Sequence, residues 1–421
     1  MGRIVLCVAL VMLAAVAAAA PGGGRLATQE LAFTLSIGDG AGNAVCLARD
    51  GDVRGARRLT GIGDYQVAWS PDGARIALAG GKSGTQPIRV ENADGTDLRA
   101  VSAPRLATED DSSPTWSPDG TRIAFARYVY FGPRTDYRRA GIWIVDLATG
   151  RERQISGEFA GLAWAPSGDV IAAELGGAFE SELVLLTPDG KVVWRRQPAG
   201  QRRFDRGISW SPDGHRLAVG GGLILDRDGR AVGRYAPPST EWTATHSPSW
   251  SPDGSSIAFA RSPVGLNPRV NQYYLTESDL FVVPAGGGSA VALTRTPTIG
   301  EGAPRFRPGT AEGQVGRPQP CLLRGTPRRD VIRGTAAGDL IDGGGDDDAL
   351  HGRAGDDVVV GGPGHDILDG GPGRDFLRAD FGNDRLQARD GVEDEVRGGS
   401  GRDRAWIDRR DRVSSIELVN R

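Results

Sequence analysis

Apolar residues along most of this chain recur with a period of two and come in short runs. Arg-Ile-Ala-Phe-Ala (122–126), Gly-Ile-Trp-Ile-Val-Asp (141–146) and Asp-Leu-Phe-Val-Val (279–283) are examples. Alternation of this kind puts every second side chain on one face, which is how a half-buried strand reads. Gly, Pro, Asp and Ser punctuate the runs and predict tight turns. From Gly325 onward the pattern changes, and a single aliphatic residue returns every nine positions between Gly and Asp. Both patterns predict strands, so the expectation is an all-β chain in two parts.

The first part repeats a phrase. AWSPDGARIALAG, TWSPDGTRIAFAR, AWAPSGDVIAAE, SWSPDGHRLAVG and SWSPDGSSIAFAR are anchored at Trp69, Trp116, Trp164, Trp210 and Trp250, with a weaker copy, RFRPGT, at Phe306. The spacings of 47, 48, 46, 40 and 56 residues are those of one four-stranded propeller blade. Ser-Pro-Asp-Gly predicts a type I turn: Pro presets the second position, Asp suits the third and Gly the last. The Trp is expected between neighbouring blades. Residues 31–60 contain the later strands of a blade but no Trp motif, whereas 303–310 contain that opening strand and little else. Together they predict a sixth blade built from both ends, a closure that removes exposed sheet edges. Residues 31–310 resemble the TolB-like propeller repeat, a WD-type relative. The resemblance implies fold. TolB carries a further N-terminal domain for which there is no room before these strands, so a Tol-system role is not expected.

Cut every nine residues from Gly325, the second part reads GTPRRDVIR, GTAAGDLID, GGGDDDALH, GRAGDDVVV, GGPGHDILD, GGPGRDFLR, ADFGNDRLQ. The sixth position is always Asp: Asp330, Asp339, Asp348, Asp357, Asp366, Asp375 and Asp384. The eighth is always Ile, Leu or Val. An extra residue between 390 and 397 shifts the frame, which resumes at GGSGRDRAW with Asp403. A disordered Gly/Asp linker would need neither the fixed Asp nor the fixed aliphatic. Hard cations such as Ca²⁺ take six to eight oxygens in flexible geometry, and Gly turns can aim carbonyls inward. A core of one aliphatic per nine residues is too thin to overcome chain entropy alone, so a bound ion is expected to contribute folding energy.

Residues 325–405 resemble the RTX calcium-binding β-roll, whose pattern is Gly-Gly-x-Gly-x-Asp-x-aliphatic-x. The resemblance implies that two nonapeptides form one coil, that Asp residues eighteen apart stack on one edge, and that several Ca²⁺ ions sit between coils. The implied ligands are Asp339, Asp348, Asp357, Asp366, Asp375 and Asp384. Turn glycines Gly352, Gly355, Gly361, Gly362, Gly364, Gly370, Gly371, Gly373 and Gly382 accompany them. The best-formed pairs are Asp348 with Asp366, Asp366 with Asp384, and Asp357 with Asp375. The first two nonapeptides depart from the pattern, since Thr replaces the second Gly and Arg328 and Ala337 replace the fourth. Leu340, Val358 and Phe376, also eighteen apart, are expected as an outward apolar ladder. Such a strip reads equally as a docking surface or as ordinary surface apolarity.

Charge sharpens this division. The chain carries −3, yet residues 334–384 hold twelve Asp against three Arg, a local −9, which leaves +6 elsewhere. Only Lys82 and Lys191 are lysines, and no basic patch for nucleic acid is present. Arg3 followed by an apolar run from Ile4 to Ala20 reads as a cleaved signal peptide, with no later membrane span, which predicts a secreted or extracytoplasmic protein. Cys46 and Cys321 then remain; pairing and two free thiols are both open.

Enzyme signatures are scarce. No Gly-x-Ser-x-Gly or His-Glu-x-x-His occurs, and GGKSG (80–84) lacks the first Gly of a phosphate loop. His246 reads as a loop residue before Trp250. Two connections, 128–141 and 262–279, are longer than their counterparts and hold Tyr128, Tyr130, Tyr137, Tyr273 and Tyr274. They fall three blades apart in a ring of six, so they should face each other on one side. Tyr-rich loops suit recognition of a protein or glycan. The expectation is therefore a signal peptide (1–20), a six-bladed β-propeller (27–310), a linker (311–324), a parallel β-roll (325–405) and a C-terminal cap (406–421). The expected role is a secreted calcium-binding recognition or scaffold protein. The alternatives are an extracellular hydrolase or lyase using the propeller, or a subunit of a cell-envelope complex.

Overall fold

A computed structural model describes residues 29–420, except 38–41, 50–51, 81–84, 131–136, 158–159, 177–180, 198–206, 240–242, 268–271, 276–277, 295–299 and 309–319. The expected signal peptide and most of the linker lie outside the described residues. Apart from a 3-10 turn at Gly220–Gly222, the described elements are all strands. Among these residues no helix is long and apolar enough to cross a membrane.

Six antiparallel sheets form the propeller. Their innermost strands are Asp64–Trp69, Glu109–Trp116, Ala160–Trp164, Ile208–Trp210, Thr243–Trp250 and Gly300–Phe306. The last of these pairs with Glu30–Ile37, and the same sheet continues through Gly42–Arg49 and Asp52–Arg58. Both ends of the domain therefore share the sixth blade, as the incomplete copies at 31–60 and 303–310 imply.

The repeated phrase explains both turn and ring. In the first copy Gly73, at φ +68°, donates its N–H to Ser70 O at 2.8 Å, and Ser70 Oγ bonds Asp72 Oδ1 at 2.5 Å. The same closure recurs at Ser117, Ser211 and Ser251. Hydrogen bonding from Ser117 holds the Asp119 carboxyl down at about 2. Each Trp then packs on the preceding blade: Trp116 Nε1 donates to Ala68 O and Trp210 Nε1 to Ala163 O, both at 3.0 Å. In three copies the Arg that follows the turn covers the next Trp: Arg75 stacks on Trp116, Arg122 on Trp164 and Arg216 on Trp250, while Arg307, at the Ser position of the sixth copy, stacks on Trp69. Such contacts contribute about 0.5–2 kcal/mol each.

The C-terminal part is a solenoid of two six-stranded parallel sheets. One begins Leu323–Arg324, Leu340–Asp342, Val358–Pro363; the other begins Val331–Arg333, Ala349–His351, Ile367–Asp369. Register runs Leu340 to Val358 to Phe376, then shifts by one to Glu395 where the extra residue falls. Position-eight residues Ile341, Leu350, Val359, Leu368, Leu377 and Leu386 fill the space between the sheets and are fully buried. Arg412–Ser414 and Leu418–Asn420 add the last strand to each sheet.

The two parts are joined closely. Cys46 and Cys321 form a disulfide across 275 residues, and Cys321 N donates to Ala56 O at 3.1 Å. A closure of this kind typically contributes about 2–4 kcal/mol. The apolar ladder is not outward. Leu340, Val358 and Phe376 are at most 7% exposed and pack against Phe33, Leu35, Ala44, Ala48 and Ala56 of the closing blade. The strip is a docking surface whose partner is this chain's own propeller. On the opposite sheet the same positions stay in solvent, with Val331 57% and Ile367 37% exposed.

Candidate metal centre

The nine-residue period places the Asp side chains in two ladders, one at each turn edge of the solenoid. In the first ladder Asp330 N bonds Asp348 Oδ1, Asp348 N bonds Asp366 Oδ1 and Asp366 N bonds Asp384 Oδ1, at 2.7–2.8 Å. It continues to Asp403 Oδ1 at 3.0 Å and ends on Glu417 Oε2 at 2.7 Å. In the second, Asp339, Asp357 and Asp375 donate in turn to Asp357, Asp375 and Asp394 at 2.6–2.8 Å. Asp394 N then bonds Asp411 Oδ1 at 3.1 Å. The rungs Asp394, Asp411 and Glu417 were missed in the sequence. The one-residue insertion hides them, although counting nineteen from Asp375 reaches Asp394.

In the inner rungs one oxygen of each Asp is thereby used and the other is not. Oδ2 of Asp348, Asp357, Asp366, Asp375, Asp384, Asp394 and Asp403 is buried and takes no hydrogen bond from the protein. A buried anionic oxygen without a donor or cation costs several times the net worth of an ordinary hydrogen bond. The titration behaviour agrees. Burial, opposed by the backbone hydrogen bond and reinforced by neighbouring carboxylates, pushes Asp357, Asp366, Asp375, Asp384 and Asp394 up to about 7, and Asp348 to about 6.

The glycines keep room beside those oxygens. A Cβ at Gly352, Gly361 or Gly370, the first position of each nonapeptide, would lie 2.2–2.5 Å from the Oδ2 of Asp357, Asp366 or Asp375. Gly362 and Gly371 at position two, and Gly355, Gly364, Gly373 and Gly382 at position four, lie directly on the backbone of the preceding coil. In the two opening nonapeptides Thr does the opposite. Thr326 and Thr335 each give an N–H and a hydroxyl to the Oδ2 of Asp330 and Asp339, at 2.6–2.9 Å. Those oxygens already have protein donors.

The donor set fits a hard divalent cation: oxygen only, anionic and lined by Gly backbone. Among the described residues no three His, Cys, Asp or Glu side chains gather as a cage. Each interval offers carboxylates from successive coils, and turn carbonyls or water would have to complete the shell.

Among its described residues the propeller shows no comparable set. Asp111 on an innermost strand is tied to Arg127 Nε at 2.6 Å and to Ser102 Oγ at 2.5 Å, and Asp64 pairs with Arg89. His246 lies on the innermost strand of the fifth blade, not in a loop. Its Nε2 is 2.7 Å from Ser262 Oγ, and burial drops its pKa to about 4. Ser262 is fully buried and His246 nearly so. The described parts of the two long connections are paired strands: Tyr130 pairs with Tyr137, Tyr128 with Arg139, and Tyr273 and Tyr274 with Leu266 and Gly265. They sit in the second and fifth blades, opposite each other in the ring.

Comparison with known proteins agrees with this geometry. The RTX calcium-binding nonapeptide repeat, in four copies, matches residues 324–359 and 351–386. No curated protein matches the chain. Among solved structures, TolB from Acinetobacter baumannii is similar at 16% identity and a TM-score of 0.48, over 66% of this chain and 67% of that one. A putative TolB from Agrobacterium tumefaciens is similar at 13% identity and 0.33, over 67% and 99%. A puromycin-hydrolyzing peptidase of Mycobacterium tuberculosis is similar at 13% identity and 0.38, over 75% and 63%. Likeness at this level says nothing about activity, and the propeller rests on the strand pairing itself. With its two aspartate ladders and its Gly cradles, the C-terminal solenoid carries the RTX calcium-binding nonapeptide repeat over residues 324–386 and is joined to a six-bladed β-propeller.

Proposed function

We propose that this is an exported calcium-binding recognition or scaffold protein, cleaved after its N-terminal signal, whose solenoid completes folding on calcium outside the cytoplasm. The observation that carries it is the row of buried, donorless Oδ2 atoms in both ladders. Calcium between Asp348 and Asp366, Asp366 and Asp384, and Asp357 and Asp375 would supply the missing positive charge. Magnesium, which demands rigid octahedral geometry and keeps its waters, suits these turns poorly. Equilibrium dialysis of the full chain with each metal tests this. Several calcium ions should bind in excess magnesium, and Asp366→Asn, which touches two intervals, should lose at least one. Equal uptake of both metals, or none, would refute the reading.

The propeller supplies the recognition face. Its paired strands place Tyr128, Tyr130, Tyr137, Tyr273 and Tyr274 on opposite blades, which supports a protein or glycan ligand spanning the ring. Binding of the purified chain to isolated cell-envelope material should fall at least tenfold on joint Tyr130→Ala and Tyr273→Ala replacement; undiminished binding would remove this role. An enzyme reading lacks support from the innermost strands, where Asp64, Asp111 and His246 are all engaged with neighbouring groups.

A further inference from the structure

The second ladder begins in an unusual way. Everywhere below its top, the Oδ1 of an Asp accepts the amide of the Asp one coil earlier. Asp339 has no Asp one coil earlier, because the residue eighteen positions upstream is Cys321. Its Oδ1 instead meets Arg58 Nη2 at 3.3 Å, while Arg58 Nη1 donates to Gly338 O. Arg58 ends the last strand of the propeller's closing blade and is 3% exposed; Asp339 is 1% exposed. The other oxygen of Asp339 is held by Thr335. Asp339 therefore has protein donors on both oxygens, whereas Asp357 and Asp375 each keep one bare. The head of the first ladder differs: Thr326 holds Asp330 Oδ2, and the group is only half-buried.

Three features converge on this end of the solenoid. Arg58 brings a fixed positive charge to the carbonyl and carboxylate that open the second ladder. The Leu340, Val358 and Phe376 face lies on the same blade. The Cys46–Cys321 disulfide pins the chain one coil upstream. A solenoid needs a covered end before its coils can stack. An Arg fork presents several donors in one plane to backbone and carboxylate together.

We infer that Arg58 is a protein-borne cation standing in for calcium at the head of the second ladder, so that the propeller caps and templates the solenoid. On this edge metal binding starts at Asp357, and Asp339 serves as the anchor to the propeller. Calcium-driven folding then proceeds away from the propeller, from a first coil that is already formed. This rests on the calcium reading above and adds a direction and a starting point to it.

Hydrogen exchange on the full chain, in chelator and across a calcium titration, tests the inference. In chelator the wild-type amides of Leu340–Asp342 should stay protected while those of Arg404–Ile407 exchange. Arg58→Met should lose protection at Leu340–Asp342 in chelator, regain it at saturating calcium, and need at least about fivefold more calcium at the midpoint. Arg58→Lys, which keeps the charge, should recover part of the shift. Protection and midpoint unchanged in Arg58→Met would overturn the inference. So would parallel loosening of Ile171–Gly176 on the far side of the ring, since Arg58 would then support the propeller itself. A wild-type chain indifferent to calcium would instead defeat the calcium reading, a separate outcome.

Discussion

Removing calcium at pH 8 should unfold the distal coils of the solenoid and leave the propeller intact, whereas the same treatment near pH 4 should do little. The reason is the titration of the ladders. Asp357, Asp366, Asp375, Asp384 and Asp394 have folded pKa values of about 7 without metal, against 3.8 for an ordinary Asp. The folded, metal-free solenoid therefore binds more protons than the unfolded chain. Stability from these groups is complete below the unfolded value and is lost as pH rises through the folded one, across roughly pH 4 to 7. Above that window each ladder is a stack of buried like charges, and calcium must replace the protons. Calcium affinity should accordingly rise from pH 5 to pH 8, with proton release on binding. Calorimetry of the full chain in chelator, repeated across this range, would show one transition moving and one staying. A lower transition that is indifferent to both pH and chelator would contradict the assignment of the ladders.

The second large effect is expected from one missing methyl group. Gly382 has a φ of +145°, and a Cβ there would come within 1.5 Å of Gly364 O and 3.0 Å of Asp384 Oδ1. No rotation relieves a clash between two backbones stacked in register. A non-Gly residue in this region costs about 1–3 kcal/mol in backbone strain alone. Gly382→Ala adds the steric displacement of the coil beneath and widens the Asp366 to Asp384 interval. It should abolish the calcium-induced gain of β signal beyond the first coils, as followed by circular dichroism. Gly286→Ala is the matched control, since nothing lies within 4 Å of a Cβ there and its φ is unexceptional. If Gly382→Ala folded on calcium like the control, the close stacking of turns would be wrong.

These expectations show which parts of the protein are written locally. Ser-Pro-Asp-Gly closes its own turn through Ser70, Asp72 and Gly73, so a blade is legible from a dozen residues. The Arg that covers the next Trp is legible in the same way in the first, second and fourth copies, whereas Val170 and Ser256 stand at that position in the third and fifth. In the solenoid the period of nine alone puts Asp348, Asp366 and Asp384 on one edge and Ile341, Val359 and Leu377 in the core. Where the period slips, legibility ends, and Asp394 was passed over for that reason.

What the sequence determined, then, is every feature with a short repeat: six blades, two aspartate ladders, and the closing of the ring by both ends. Only the tertiary structure decided that Cys46 pairs with Cys321, that Leu340, Val358 and Phe376 are covered by the closing blade, and that Arg58 reaches Asp339. Turn and period act over a few covalent bonds, so they leave a pattern in the chain. The disulfide and the Arg58–Asp339 pair join residues 275 and 281 positions apart. They depend on which apolar face finds which, and no local pattern encodes that choice.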